Sequence, residues 1–142
     1  MDPSVEIDVQ GQSDPEYSLN ITLTNRSPEP LVIYQHSLPW VGWNSMLLIA
    51  VKTDVLGTAL DKSALIDDPG PASITIKPDE TLTGKIPLAR RFPGFLEALK
   101  DRDVIVFWSY QFQPIDAAPL KRVGGYVLFP KVSKAGRRPS KE

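Results

Sequence analysis

Few side chains in this sequence could do chemistry. His36 is the sole histidine and stands beside Ser37, the composition of a nucleophile–base pair. Neighbours on an extended chain point to opposite faces, so the two are not expected to make the hydrogen bond that activates a serine hydroxyl. One histidine and no cysteine also leave no multi-histidine or thiolate metal site within one chain. Carboxylate pairs occur at Asp67-Asp68 and at Asp101/Asp103, the residue type that serves as acid and base in glycoside hydrolysis. The first pair falls in a Pro-Gly turn and the second where a strand begins, both ordinary places for solvated turn formers. Motifs for phosphate loops, dinucleotide binding, nucleophile elbows, zinc helices and calcium loops are all missing. The chain therefore reads as non-enzymatic and as needing no cofactor or metal.

Binding residues are easier to nominate. Tyr34, His36, Trp40 and Trp43 cluster on one stretch, and aromatics on a loop offer rigid area at low entropic cost. Such a loop suits a protein contact; the alternative is a sugar ring or another small ligand on Trp40 and Trp43. The competing role is structural, with these rings capping the end of a core. Trp108 is expected in the core, because it belongs to an alternating apolar face. Asn20-Ile21-Thr22 and Asn25-Arg26-Ser27 match the glycosylation pattern, but one lies mid-strand and the other precedes a proline. Arg90-Arg91 is expected as a solvated pair at a strand exit.

The elements that must position these residues are short. The chain has 142 residues with 14 prolines, no cysteine and a net charge of −1. That is one domain's length, with no disulfide, no thiol chemistry and no global field toward nucleic acid. Proline at this density argues against long helices. The longest apolar run, Met46 to Val51, is far short of the roughly 20 residues of a membrane-spanning helix. No signal-peptide pattern follows Met1, so the compartment stays open between cytoplasm and export with a leader removed. Residues 131–142 are basic and almost without apolar residues, and are expected to be a disordered tail after one domain spanning 1–130.

Strand signals recur along the domain. Val5, Ile7 and Val9 alternate with polar residues until Gly11 breaks the pattern, and Tyr17, Leu19, Ile21 and Leu23 alternate still more cleanly. After the turn Asn25 to Pro30 comes Leu31 to Tyr34, expected to pair with the strand before it. Further strands are expected over Met46–Thr53, Ser73–Ile76, Leu82–Ile86, Val104–Phe112 and Val123–Phe129, the last with a bulge at Gly124-Gly125. Pro93 to Lys100 reads as one short helix burying Phe95, Leu96 and Leu99. A weak helical turn is expected over Asp61–Leu65. The sum is an all-β, antiparallel sandwich of seven or eight strands with one short connecting helix; a small closed barrel is the alternative.

A resemblance sharpens the fold. Tyr17 to Ile33, with Thr24-Asn25-Arg26-Ser27 ending an alternating strand before a proline turn, is similar to small bacterial immunoglobulin-like domains. Ile74 to Gly84 resembles the later "L-x-P-G-E-S/T" turn of those domains, with Asp79 where glycine is usual. Val104 to Tyr110 looks like their penultimate strand. The intracellular proteinase inhibitor of bacilli and the immunoglobulin-like modules accompanying secreted zinc peptidases share these features. The resemblance implies a non-catalytic module that contacts another protein. No inhibitory loop matches residue by residue, and the Trp40/Trp43 loop lies outside the pattern, so no functional residue is carried over.

Overall fold

In a computed structural model of the chain, residues 4–13, 16–41, 45–54, 57–62 and 72–132 are described. Their strands are β1 (Val5–Gln12), β2 (Ser18–Asn25), β3 (Leu31–Tyr34), β4 (Leu47–Lys52), β5 (Ser73–Ile76), β6 (Thr81–Pro87), β7 (Val104–Tyr110) and β8 (Val123–Phe129). Two short helices, α1 (Leu88–Arg91) and α2 (Phe95–Leu99), join β6 to β7. Every pairing is antiparallel, in sheets ordered β1-β2-β6, β3-β5 and β4-β7-β8. The chain is all-β.

Alternation in β2 explains its central place. Leu19, Ile21 and Leu23 are buried, and each lies opposite an apolar residue or glycine of β1 and β6. They share one core with Leu48 and Ala50 of β4, Val104, Val106 and Tyr110 of β7, and Phe129 of β8. Burying an aliphatic side chain of this size contributes about 1.5–3 kcal/mol, which makes the shared core the main source of stability. One end of the core is aromatic. Tyr17, Phe95 and Phe129 form a triangle with centroid distances of 5.4–5.8 Å, tying α2 to the strands.

Several expectations are corrected. β3 does not pair with β2; it pairs with β5. A tight hairpin needs a short turn with left-handed residues, whereas Pro28 and Pro30 extend this connection. The side chain of Asn25 instead fastens the end of β2 beside β5: its Nδ2 donates to the carbonyls of Ile76 (2.8 Å) and Glu29 (3.0 Å), and its Oδ1 accepts from Ser27 N. Asn25 is buried, so its place in a glycosylation pattern is fortuitous. β1 continues through Gly11 to Gln12. Glycine is required there by close approach rather than by a turn, since a Cβ would lie 2.6 Å from Val127 Cγ1.

The glycines of β8 have the same explanation. Its register with β7 is unbroken from Val104↔Phe129 to Tyr110↔Val123, with no bulge. Gly125 leaves room for the Trp108 ring, whose Nε1 would be 3.1 Å from an added Cβ. Trp108 is half-buried and packs against the core.

Two helices replace the one expected. Leu88-Ala89-Arg90-Arg91 is built from good helix formers but is too short to display a helical period. Winding places Arg91 three residues after buried Leu88, on the same face, so Arg91 is buried (4% exposed) while Arg90 stays in water. In α2 the buried residues are Phe95, Ala98 and Leu99, and Leu96 points to solvent. The expected turn at Asp61–Leu65 lies largely outside the described residues, as do Asp67-Asp68 and all of the basic tail beyond Val132.

Candidate functional site: an aromatic stack, a polar cleft and an apolar sheet face

The nominated aromatic residues part company. Tyr34 ends β3, and the chain then makes a 3₁₀ turn over Gln35–Ser37 rather than continuing extended. That turn stacks His36 on Tyr34, with centroids 5.4 Å apart and planes 11° from parallel. Ser37 is occupied differently, its carbonyl accepting a 2.6 Å hydrogen bond from Tyr110 Oη. Burial raises the Tyr110 pKa well above the ordinary tyrosine range, so the hydroxyl stays a donor.

Trp40 packs against a strand. Its ring lies on the backbone of β6 at Gly84, where an added Cβ would come within 2.1 Å of Trp40 Cδ2. It lines a small cavity of about 160 Å³ with Ile86, Pro87, Arg90 and Arg91, whereas His36 lines a different one. Trp43 lies outside the described residues.

Of the nominated carboxylates, Asp67 and Asp68 lie outside the described residues, and Asp101 and Asp103 have different surroundings. Asp103 Oδ1 accepts from Lys131 N at 2.7 Å. Asp101 lines a separate cavity of about 740 Å³ with Lys52, Asp54, Glu97 and Arg102. There, hydrogen bonds from Thr58 N and Oγ1 to Asp54 hold its pKa below the usual range, fixing it as an ionised turn former. Among the described residues no group of three or more metal-ligating side chains comes together. No described helix is long and apolar enough to cross a membrane.

His36 borders a cleft of about 290 Å³ with Ser37, Ser45, Leu47, Tyr110, Gln111, Gln113 and Arg122. Among the described residues its lining contains no carboxylate and includes a cation, Arg122, whose Nη1 donates to Ser109 Oγ at 2.9 Å. The cleft opens beside the outer face of the β4-β7-β8 sheet through Leu47 and Arg122.

That outer face is the feature sequence reasoning passed over. Register fixes its rows: Leu47–Ser109–Gly124, then Ile49–Phe107–Tyr126, then Val51–Ile105–Leu128. No position in these rows is charged. Ile49 (57%), Phe107 (44%) and Tyr126 (67%) are well exposed, as are Leu47 and Leu128. Phe107 and Tyr126 contact each other across the strands. A solvated sheet face normally carries polar residues, and a contiguous apolar one marks an interaction site. The signal was present in the sequence: Val104–Tyr110 is apolar on both faces, Ile105 and Phe107 alternating with Val104 and Val106.

The approach to this face is frontal on the β4 side. Residues 58–60 run along β4, with Lys52 N donating to Thr58 O and Leu60 N to Ala50 O, so that edge is covered. Compared with known proteins, the chain matches no family model and no curated protein.

Proposed function

We propose that this chain is a non-catalytic protein-interaction module of the bacterial immunoglobulin-like type, and that its contact surface is the outer face of β4, β7 and β8. The fold part of this reading rests on connectivity. Two three-stranded antiparallel sheets, β1-β2-β6 and β4-β7-β8, share one core beside a separate β3-β5 pair, which supports reading β7 and β8 as the last two strands of such a sandwich. The observation that carries the functional part is the uncharged row Ile49–Phe107–Tyr126 standing in solvent. Aromatic rings at the centre of a flat apolar patch are the usual anchors of protein contacts. A ligand-binding role for Trp40 has less support, because its ring is spent on covering Gly84.

The test is a photo-crosslinking amino acid placed at Tyr126, with Thr83 on the exposed part of β6 as control, in the full chain within native extract. Saturable protein adducts from position 126, absent from position 83 and lost in Ile49→Lys, are expected. No adduct at 126, or equal adducts from both positions, would contradict the reading.

A further inference from the structure

Resting on the interaction reading above, we infer that the occupant of this face is a second copy of the chain, packed face to face about a two-fold axis that lies across the strands. The face is self-complementary in size, charge and area. A two-fold axis through the central row lays Ile49–Phe107–Tyr126 on itself and reverses the remaining rows. The row with small residues at two of three positions, Leu47–Ser109–Gly124, then meets the uniformly bulky row Val51–Ile105–Leu128 of the other copy. Arg122 Nη1 donates to Ser109 Oγ at 2.9 Å and lies over this row. Hollow meets ridge, as sheet-on-sheet packing requires, once Arg122 swings off Ser109 toward the partner.

Charge selects this axis over one running along the strands. Continuing the register by one pair at the Leu47 end gives Ser45, Gln111 and Arg122, all lining the polar cleft. At the other end it gives Thr53, Asp103 and Pro130; Thr53 N donates to Asp103 O at 3.1 Å, which keeps the ladder going. Two-residue alternation puts Asp103 on the same face as Ile105. With the axis across the strands, Arg122 of each copy comes over the end that carries Asp103 of the other. Two cation–carboxylate pairs thus flank an uncharged centre, each formed as Arg122 exchanges its bond to Ser109 Oγ for an Asp103 carboxylate that also accepts from Lys131 N. An axis along the strands would set each Arg122 over Ser45 and leave both cations without an acid.

The area is adequate for a reversible pair. With the polar end rows included, from Ser45 to Thr53 along the strand, the face spans about 26 Å by 14 Å at normal strand spacing. Allowing for side-chain relief, a pair would bury roughly 1,000–1,200 Å² in total, the lower bound for specific interfaces. Dissociation in the micromolar range is expected from that size.

Sedimentation equilibrium of the full chain from about 1 to 300 μM tests this, over a range set by that expectation. Reversible dimerisation is expected, abolished by Tyr126→Glu and by Ile49→Lys, both at exposed positions, with circular dichroism confirming that each variant folds. Arg122→Glu should weaken it at least tenfold, and Arg122→Glu combined with Asp103→Arg should restore most of the loss. A monomer throughout the range overturns the inference, and so does a dimer indifferent to Tyr126→Glu and Ile49→Lys. Failure of the charge swap to rescue overturns the two-fold arrangement. If the chain is monomeric while position 126 still yields saturable adducts to another protein, the inference falls and the interaction reading stands.

Discussion

Phe107 and Tyr126 sit directly opposite one another on β7 and β8, ring centroids 6.2 Å apart and planes inclined by 49°, and both rings are exposed. An aromatic cross-strand pair contributes about 0.5–1.5 kcal/mol to a sheet beyond its area burial. Its larger consequence is the apolar area that it leaves in water. Tyr126→Ser should therefore lower stability by no more than about 2 kcal/mol in urea unfolding of the dilute protein. A loss several times larger would mean that the ring is needed for folding rather than for contact.

Asn25 holds three parts of the chain with one buried amide. Replacing it by Ala strands the Ile76 carbonyl, the Glu29 carbonyl and the Ser27 N–H. Each unsatisfied buried group costs about 1–3 kcal/mol, partly relieved where water can enter. Asn25→Ala should cost about 2–4 kcal/mol in urea unfolding. A change below about 1 kcal/mol would show that the amide is not the fastening between β2 and β5.

Asp79 adopts a left-handed backbone, φ +65°, in the turn Lys77–Glu80. Asp79 thus holds a conformation that favours glycine, which has no Cβ to clash with the backbone. Its N–H donates to Asn25 O at 2.7 Å, so the conformation is locked to the same joint. Asp79→Gly is expected to stabilise by about 0.5–1 kcal/mol, and Asp79→Val to destabilise by about 1–2 kcal/mol. Melting temperatures moving in the same direction for both would refute the assignment.

Trp40 on Gly84 gives an optical reading of the core's edge. Gly84→Ala forces the indole away from β6, since the new methyl would overlap the ring. The expected result is a red-shifted tryptophan emission and a loss of about 1–3 kcal/mol. Unchanged emission would place the Trp40 ring elsewhere and return it to the pool of ligand-binding residues.

Tyr110 makes stability fall in alkali. Its folded pKa lies above the unfolded value because burial disfavours the phenolate. Its contribution is thus whole below about pH 10, where both states are protonated, and is lost as pH rises toward the folded pKa. Tyr110→Phe removes this titration at the cost of the bond to Ser37 O. The variant should be about 1 kcal/mol less stable at pH 7 and should lose less further stability between about pH 9.5 and 11. Parallel pH profiles for the two proteins would contradict this.

Alternation in β2 and β7, and the proline turns, made the strands and the antiparallel class legible in the sequence. Pairing was not legible where a side chain far along the chain decides it: the Asn25 amide reaches Ile76, and no local pattern encodes that. The glycines of β1 and β8 looked like breakers because their packing partners, Val127 and Trp108, appear only in three dimensions. The aromatic stretch stands out by composition; among its described residues Trp40 went to the core's edge, and Tyr34 and His36 came together. The sheet face was visible as apolar residues on both sides of β7, but a strand buried on both faces reads the same way. The exposure of Ile49, Phe107 and Tyr126 among the described residues distinguishes the two.

The most direct measurement of whether that face is a contact surface is hydroxyl-radical footprinting of Phe107 and Tyr126. Oxidation would be compared between the dilute purified chain and the chain at its native concentration in the cell, with Tyr34 as the exposed reference. Strong protection of Phe107 and Tyr126 in the cell, with Tyr34 oxidised at a comparable rate in both settings, is the expected result. Equal oxidation of Phe107 and Tyr126 in the two settings would contradict a role for this face in binding.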